Sequence, residues 1–496
     1  MISRRGKTEF SNFAGDYFVK YQQNPYDPGA NDTGIVNTGT AENYLCKDLM
    51  KERFSRPDMA TWTEEMQFYN VGSGTLHFRK SLAEFLTEQL QTHEPLKPEN
   101  IFTGTGASTI LEHLAFSLAD EGEYFLCPTP AYFAFWYDMG ARALVKLYDI
   151  PLKGRDIPKG AKPFQLTAEQ VESCYKKAME EGCKIRAILI CNPANPIGSI
   201  LNEKELEDIL QFCARVKIHV IVDEAYAMSV FDESAKFCSA LSLRNIPDPE
   251  RLHVVWTFSK DLGLSGMRCG LVHTWNKDLH GLLYTNYTSM ASMSLLIQNR
   301  LTTLISDRDW MNNVYFPTNL ARMRRARKLM KEGLEDVGIK VYPSKAGFFI
   351  WADFSEVLHP LTFETEIAFF LKLIELQSGG VYMVPGKELH CAEPGWFRIV
   401  FTHTEELINV AIERIKKAVD MMRSEGVLSN LAEALAPPKM ESAGGGKPKA
   451  SLEDLLLDMR LSIKNTNWLE ANTADKWAND NPDLAKAFKD AKDTYK

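Results

Sequence analysis

The chain has 496 residues, of which 45% are hydrophobic and 25% charged, and its formal net charge is −8. This length predicts at least two packed domains, and the composition is that of an ordinary globular protein. The acidic balance without a basic stripe argues against nucleic acid as a partner. No segment approaches the roughly 20 consecutive apolar residues of a membrane span, so no membrane contact is expected.

The cysteines and the first residues give an expectation about the cellular compartment of the protein. Residues 1–5 are basic, but no apolar stretch follows them, so we expect no secretory signal. The nine cysteines are scattered without a C-x-x-C pair, which predicts reduced thiols in a cytoplasmic protein. Neither they nor the ten histidines have the spacing of metal ligands, so no metal site is predicted.

The first informative element in chain order is a glycine-rich turn at residues 104–109, followed by a helical apolar pattern. Backbone N–H groups at a helix N-terminus suit a phosphate, and we predict Gly106, Ala107 and Ser108 as its ligands. Tyr132 follows a Pro-Thr-Pro turn and could stack on an aromatic ring. A buried aromatic without such a role is an equal alternative for Tyr132.

Apolar runs and helical patterns then alternate. Residues 187–191, 219–222, 252–257 and 270–273 are short apolar runs, and residues 203–215 have helical periodicity. This alternation predicts βαβ units and an α/β fold with a mainly parallel sheet that is covered on both faces.

Polar residues follow these predicted strands. Asp223 can pair with a pyridinium nitrogen, while Asn195 and Tyr226 can reach a ring hydroxyl. Open α/β sheets bind ligands at the carboxyl ends of their strands, where all three residues fall. Each residue alone is a weak signal, but together they indicate one ring-shaped ligand.

The strongest signal is the run Ser-Lys-Asp-Leu-Gly-Leu at residues 259–264. Lys260 is placed to form a Schiff base with an aldehyde cofactor, and Ser259 and Arg268 to hold its phosphate. With Asn195, Asp223 and Tyr226, this order of residues predicts pyridoxal 5'-phosphate as the cofactor.

The second half predicts a smaller α+β unit and a separate tail. Residues 309–337 form a long amphipathic pattern that we expect to break near Pro317, and residues 348–352 and 396–401 predict strands. Arg398, inside the last of these, requires a buried anionic partner. The predicted parts are an N-terminal segment (1–60) that contributes to the small domain, a large cofactor-binding domain (61–315), the small domain (316–425), a flexible linker (426–450) and a helical tail (451–496). That tail is either a surface helix or a docking element for a partner.

Five short runs resemble a known family. They are Asn-Pro-Tyr-Asp (24–27), Thr-Ala-Glu-Asn-Tyr-Leu (40–45), Pro-Thr-Pro-Ala-Tyr (128–132), Ser-Lys-Asp-Leu-Gly-Leu (259–264) and Gly-Trp-Phe-Arg (395–398). The chain resembles the fold-type I pyridoxal-phosphate enzymes of the class I/II aminotransferase family, and within it the branch of 1-aminocyclopropane-1-carboxylate (ACC) synthase and ACC synthase-like proteins. The likeness covers about residues 17–422.

The resemblance implies roles for particular residues. Lys260 would act as the base, supported by Asp223 and Tyr226. Arg398 would bind the α-carboxylate of an amino-acid substrate, with Glu42 and Asn195 also near the substrate. Tyr69 would reach the phosphate of the neighbouring subunit, which implies a homodimer with active sites at the interface.

Two departures from the synthase branch leave the reaction open. Gly72 stands where that branch has a tyrosine, and Ala131 replaces the first of a pair of tyrosines. Three reactions share the same cofactor residues: cyclisation of S-adenosylmethionine with release of methylthioadenosine, which we place first, transamination, and C–S lysis of a sulfur amino acid. A cofactor-binding scaffold is the non-enzymatic alternative.

Overall fold

The structure, a computed structural model, describes residues 13–69 and 71–425. The predicted linker (426–450) and tail (451–496) lie outside the described residues, and so does the docking role considered for the tail. None of the helices in the described part is long and apolar enough to cross a membrane.

Helices and short strands alternate along the described chain. The helices are α1 (Phe13–Gln23), α2 (Lys47–Phe54), α3 (Leu76–Gln89), α4 (Ala107–Leu118), α5 (Ala134–Gly140), α6 (Ala168–Glu180), α7 (Glu203–Val216), α8 (Phe258–Asp261), α9 (Lys277–Ala291), α10 (Leu295–Ser306), α11 (Arg308–Trp310), α12 (Phe316–Asp336), α13 (Phe363–Ile374) and α14 (Glu405–Glu425). The strands are β1 (Val36–Asn37), β2 (Ile101–Gly104), β3 (Tyr124–Thr129), β4 (Lys146–Pro151), β5 (Ile185–Cys191), β6 (His219–Asp223), β7 (Leu252–Thr257), β8 (Gly270–Thr274), β9 (Lys340–Val341), β10 (Phe349–Asp353), β11 (Val381–Tyr382), β12 (Val384–Pro385) and β13 (Trp396–Val400).

The main sheet has seven strands in the order β2-β8-β7-β6-β5-β3-β4. All pairs are parallel except those of β8, which runs antiparallel to both β2 and β7. Every residue of β7 is buried, as expected for a strand covered on both faces. The predicted α/β class with a mainly parallel sheet is confirmed.

Local sequence explains where the covering helices begin. In α7, the Asn202 side chain accepts a hydrogen bond from the Glu205 N–H, and the Glu205 carboxylate accepts one from the Asn202 N–H. This capping box satisfies N–H groups that the first helical turn leaves without partners. Leu206 and Ile209 then bury one face of α7. The helix therefore begins close to the residue that the sequence pattern predicts.

A second, antiparallel sheet has the order β12-β13-β10-β9, and a two-strand parallel sheet joins β1 to β11. Val36 of β1 lies opposite Val381 of β11, so the N-terminal segment packs with residues far along the chain. Arg398, on β13, lies opposite Trp351 of β10. The domain boundaries at 60/61 and 315/316 stay a prediction.

The predicted helix does not break at Pro317; its irregular part lies just before this proline. A π-helical turn, Met311–Tyr315, links α11 to α12, and Pro317 lies in the first turn of α12. A proline is tolerated in the first turn of an α-helix. The irregular turn instead buries Tyr315 completely, and its hydroxyl donates to the Asp261 carbonyl at 3.1 Å.

Candidate active site

A cavity of about 370 Å³ lies at the C-terminal ends of β5, β6 and β7. Most of the predicted site residues line it, namely Ala107, Ser108, Tyr132, Asn195, Asp223, Tyr226, Ser259, Lys260, Arg268 and Arg398. The chain thus brings these side chains together from separate strand ends and loops, as parallel strands require. Gly106, Glu42 and Tyr69 are not among the residues that line it.

One part of the cavity is suited to an anion. Ala107 and Ser108 open α4, so their N–H groups belong to the first turn of a twelve-residue helix. Arg268 lies beside this turn and has no ion-pair partner among the residues that the structure describes. Its Nη1 donates to the Ser265 carbonyl at 3.0 Å. An unpaired guanidinium beside helical N–H groups favours a phosphate.

Gly106 is the glycine that this arrangement requires. Its φ is +104°, and a Cβ there would lie 2.7 Å from Arg268 Nη2. Alanine would therefore strain the backbone and also displace the guanidinium. Gly270, on β8, packs equally closely, since a Cβ there would lie 2.6 Å from the Gly106 carbonyl carbon.

We expect Gly106→Ala to weaken phosphate-anion binding on the order of tenfold, because it moves a charge-assisted donor. Gly122→Ala is the matched control, because Gly122 also has a positive φ (+84°) but open space around it. Both variants lose about 1–3 kcal/mol of stability through backbone strain. Titration with pyridoxal phosphate should separate them, and equal affinities would contradict the role given to Gly106.

Asp223 and Asn195 present polar atoms where β6 and β5 end. The Asp223 carboxylate accepts a hydrogen bond from the Ala225 N–H at 3.1 Å. Burial raises the pKa of Asp223 to about 6, although that N–H and the charge of Lys260 oppose the shift. With this pKa, Asp223 is mostly an anion at neutral pH. Asn195 Oδ1 accepts a hydrogen bond from Arg398 Nη1 at 3.0 Å, which leaves the amide Nδ2 to donate into the cavity.

Two tyrosines enclose the cavity. Tyr226 is buried, with its ring held edge-on between Phe348 and Phe349. Tyr132 packs edge-on against Phe135. Burial raises the pKa of Tyr132 to about 12, and burial also raises that of Tyr226. Both phenols are therefore neutral donors at physiological pH.

Lys260 projects from α8, the one-turn helix after β7. Its Nζ donates to the Ala41 carbonyl at 2.7 Å. The pKa of Lys260 is lowered to about 8, mainly by removal from solvent and also by the positive charge of Arg398, while Glu42 and Asp223 act in the opposite sense. A substantial fraction of this amine is therefore neutral near pH 7–8, unlike an exposed lysine.

This shift predicts how the capture of an aldehyde depends on pH. Only the neutral amine attacks a carbonyl, and its fraction rises as pH increases through the pKa of about 8. The rate at which the apo-protein captures pyridoxal phosphate should increase from about pH 6 and level off above about pH 8.5. A rate that still increases steeply above about pH 9.5, as expected for an ordinary lysine, would contradict the lowered pKa of Lys260.

Arg398 is the most buried cation of the site, with 1% of its surface exposed. Besides Asn195, it contacts the Gly39 carbonyl, to which Nη2 donates at 2.6 Å. Its Nε is buried without a hydrogen-bond partner, and no carboxylate among the described residues forms an ion pair with it. Burial lowers the pKa of this guanidinium. Such a group favours an anionic ligand.

Glu42 lies next to the cavity rather than in its wall. Its carboxylate accepts hydrogen bonds from Ser265 Oγ at 2.8 Å and from the Tyr44 hydroxyl at 2.5 Å. Tyr69 is fully exposed and is not brought to the cavity of its own chain. Both roles that the resemblance implied stay predictions.

Two features were missed from the sequence. Asp138 lines the cavity, and burial raises its pKa to about 7; no motif marks it. The carbonyls of Gly39 and Ala41 accept hydrogen bonds from Arg398 and Lys260. Carbonyls carry no sequence signal, and these contacts join residues more than 200 positions apart.

Comparison with known proteins places the chain in a sequence family. The family model described as aminotransferase class I and II matches residues 36–415. The chain is 36% identical over 427 residues to 1-aminocyclopropane-1-carboxylate synthase-like protein 1 of Bos taurus, covering 84% of this chain and 83% of that protein.

Two other relatives carry different names. One is the probable inactive 1-aminocyclopropane-1-carboxylate synthase-like protein 2 of Homo sapiens, 34% identical, with 84% of this chain and 72% of that protein covered. The other is 1-aminocyclopropane-1-carboxylate synthase 8 of Arabidopsis thaliana, also 34% identical, with 85% and 91% covered.

The fold has close counterparts among solved structures. Aspartate aminotransferase from Thermus thermophilus with maleate superposes with a TM-score of 0.69 at 18% identity, covering 84% of this chain and 99% of that one. At that identity the likeness concerns the fold, which is the fold-type I α/β architecture.

Proposed function

The chain belongs to the aminotransferase class I and II family, and on that premise we propose that it is a pyridoxal-phosphate enzyme that removes the Cα proton of an α-amino acid. The observation that carries the proposal is the composition of one cavity. It contains a lysine with a lowered pKa, a buried carboxylate and two arginines that form no ion pair with any carboxylate of the described residues. Each of these groups has a counterpart on the cofactor or on an amino acid.

The donor set fits the cofactor. Ala107, Ser108, Ser259 and Arg268 would hold the phosphate, with Gly106 keeping the loop close. Asp223, an anion at neutral pH, would hold a proton at the ring nitrogen. Asn195 Nδ2 and the neutral Tyr226 hydroxyl would both donate to the ring oxygen, and the Tyr132 ring would cover one face.

When bound, pyridoxal phosphate supplies an aldehyde that condenses with amines and a ring that accepts the electron pair left at Cα. Lys260 is the residue that moves protons. With a pKa of about 8, it can accept the Cα proton and return it near neutral pH.

Arg398 would orient the substrate. A planar guanidinium binds a carboxylate through two parallel hydrogen bonds, which fixes the amino acid as well as holding it. Here Nε is the donor without a partner, and the bond from Nη2 to the Gly39 carbonyl can be exchanged for the second carboxylate oxygen. This geometry points the Cα substituents in one direction relative to Lys260.

For the reaction itself, we propose ACC synthase-like chemistry: the Cα electron pair displaces the sulfonium at Cγ of S-adenosylmethionine, closing a three-membered ring and releasing methylthioadenosine. The names of the relatives support this choice. Glu42, which Ser265 holds next to the cavity and whose charge acts on Lys260, would supply a carboxylate for a cationic sulfur. Gly72 and Ala131 favour the second candidate, transamination, because they remove tyrosines of the synthase branch. C–S lysis is the third.

Product analysis distinguishes these reactions. Incubated with S-adenosylmethionine, the protein should release methylthioadenosine and ACC in equal amounts. Pyridoxamine phosphate formed with an amino acid, and no ACC, would support transamination, and a thiol with a keto acid would support lysis. If no amino acid reacts, the scaffold alternative stands; one relative carries the name probable inactive.

The exposed Tyr69 supports a homodimer as the active form. Tyr69, Phe68 and Trp62 are all exposed, and exposed aromatic side chains commonly mark a surface that packs against another protein chain. We expect the protein to sediment as a dimer. The Tyr69→Phe variant should bind the cofactor more weakly while remaining a dimer. A fully active monomer would contradict the role given to Tyr69.

A further inference from the structure

Asp261, the residue after Lys260, has a completely buried side chain that does not line the cavity. Its Oδ1 accepts a hydrogen bond from Ser229 Oγ at 2.6 Å, and its Oδ2 accepts one from Trp256 Nε1 at 2.9 Å. Its backbone carbonyl accepts the Tyr315 hydroxyl at 3.1 Å. Three side-chain donors therefore fix this one residue, and the Met228 backbone N–H donates a further hydrogen bond to its carboxylate.

The three side-chain donors come from three different parts of the fold. Trp256 is on β7, and Tyr315 is in the π-helical turn before α12. Ser229 ends the turn after β6, and its N–H donates to the Tyr226 carbonyl at 3.0 Å. The Ser229–Asp261 hydrogen bond thus joins the segment that carries Asp223 and Tyr226 to the helix that carries Lys260.

The helix α8 needs such support. It has four residues, Phe258–Asp261, and a single turn is unstable alone because fixing its backbone yields few hydrogen bonds. Local bonds help at its start, where the Ser259 N–H donates to Thr257 Oγ1 at 3.2 Å. At its end, Asp261 supplies the contacts to the rest of the domain.

Burying a carboxylate is energetically unfavourable because the charged group loses its hydration. No cation of the described residues forms an ion pair with Asp261, and burial raises its pKa to about 7 against the effect of its hydrogen bonds to Ser229, Trp256 and the Met228 backbone. An apolar side chain of similar size would avoid that cost. What the carboxylate adds is a set of directional hydrogen bonds, to Ser229, Trp256 and the Met228 backbone, that define one position for α8.

We propose that Asp261 is a positioning residue that fixes the Lys260 amine relative to Asp223 and Tyr226. It does so by tying α8 to β7 and to the turn after β6. The catalytic part of this inference rests on the proposed function, but the position of the Lys260 amine can be tested without cofactor.

Four variants test whether Asp261 positions the Lys260 amine, separately from any effect on folding. Asp261→Ala removes both acceptors. Asp261→Asn keeps an oxygen for Trp256 Nε1, and the Ser229 hydroxyl can rotate to accept from the new amide. Ser229→Ala and Ser239→Ala form a matched pair, because both serines are buried and each donates at 2.6 Å to a buried carboxylate, Ser229 to Asp261 and Ser239 to Glu224.

The first measurement uses the apo-protein. The pH dependence of Lys260 acetylation by acetic anhydride, followed by mass spectrometry, gives the pKa of that amine. We expect a midpoint of about 8 in the parent protein. In Asp261→Ala and Ser229→Ala the midpoint should move up toward the ordinary lysine value as the loosened amine gains solvent. Asp261→Asn and Ser239→Ala should keep it.

The second measurement uses the cofactor-loaded enzyme. Asp261→Ala should lower kcat on the order of a hundredfold, the cost of a small misplacement, with KM little changed. Asp261→Asn should restore kcat to within about fivefold of the parent. If Asp261→Ala keeps the parental midpoint and kcat, or if the two serine variants behave alike, Asp261 is only a structural residue. Absence of bound cofactor in the parent protein would instead contradict the proposed function and leave the acetylation result to decide the inference.

Discussion

Lys260→Ala is expected to abolish the visible absorbance that pyridoxal phosphate gives when it is bound through a lysine, and to slow turnover by about 10⁴-fold. The reason is that Lys260 is the amine of the cavity whose pKa is lowered to about 8, and that it supplies both the covalent attachment and the proton transfers. Absorbance of the purified protein and initial rates with saturating substrate measure the two effects.

The control for this variant is Lys345→Ala, which removes an exposed lysine outside the cavity. It should keep both the absorbance and the turnover. Added methylamine should partly restore the rate of Lys260→Ala, since a small amine can enter the space left by the side chain. An unchanged absorption band in Lys260→Ala would show that the cofactor is attached elsewhere.

Arg398→Gln is expected to raise KM for the amino acid about tenfold to a few hundredfold, the value of a charge-assisted pair of hydrogen bonds. Cofactor absorbance should persist because Lys260 and the proposed phosphate donors stay in place, and the loss of the Arg398–Asn195 hydrogen bond affects only one donor to the ring. The positive charge of Arg398 lowers the pKa of Lys260, so the variant should also raise that pKa.

Arg53→Gln is the matched control for Arg398→Gln. Arg53 is equally buried, but it is paired with Asp58 and Asp307 at 2.9 and 3.0 Å. Its loss should lower stability by about 1–3 kcal/mol, because charge-assisted hydrogen bonds to two partly exposed carboxylates are lost, with KM unchanged. A substrate analogue without the carboxylate should bind the parent protein and Arg398→Gln equally. If it still binds the parent protein more tightly, Arg398 does not recognise the carboxylate.

The parts of the fold that could be predicted from the sequence are those that depend on local patterns. The run of apolar residues 252–257 has the same bounds as β7, and the helical periodicity at 203–215 differs from α7 by one residue. The cofactor residues could be predicted for a related reason. Parallel strands end at one edge of a sheet, so residues that follow successive strands converge there.

Long-range contacts could not be predicted in this way. Nothing local in the sequence indicates that the segment before α2 supplies carbonyls to Lys260 and Arg398. Nor does it indicate that Pro317 starts α12 instead of breaking a helix, because the preceding π-helical turn depends on where Tyr315 packs. In the sequence, Asp261 is only part of a family motif, and its physical role is indicated by the buried donors around it.

The central claim is that Lys260 carries the cofactor. Borohydride makes the lysine–cofactor linkage permanent, and mass spectrometry of the digested protein then locates the added mass. The peptide that contains Lys260 should carry one reduced pyridoxal phosphate per chain, and the Lys260→Ala protein should carry none. Added mass on another lysine, or no added mass in the parent protein, would contradict the claim.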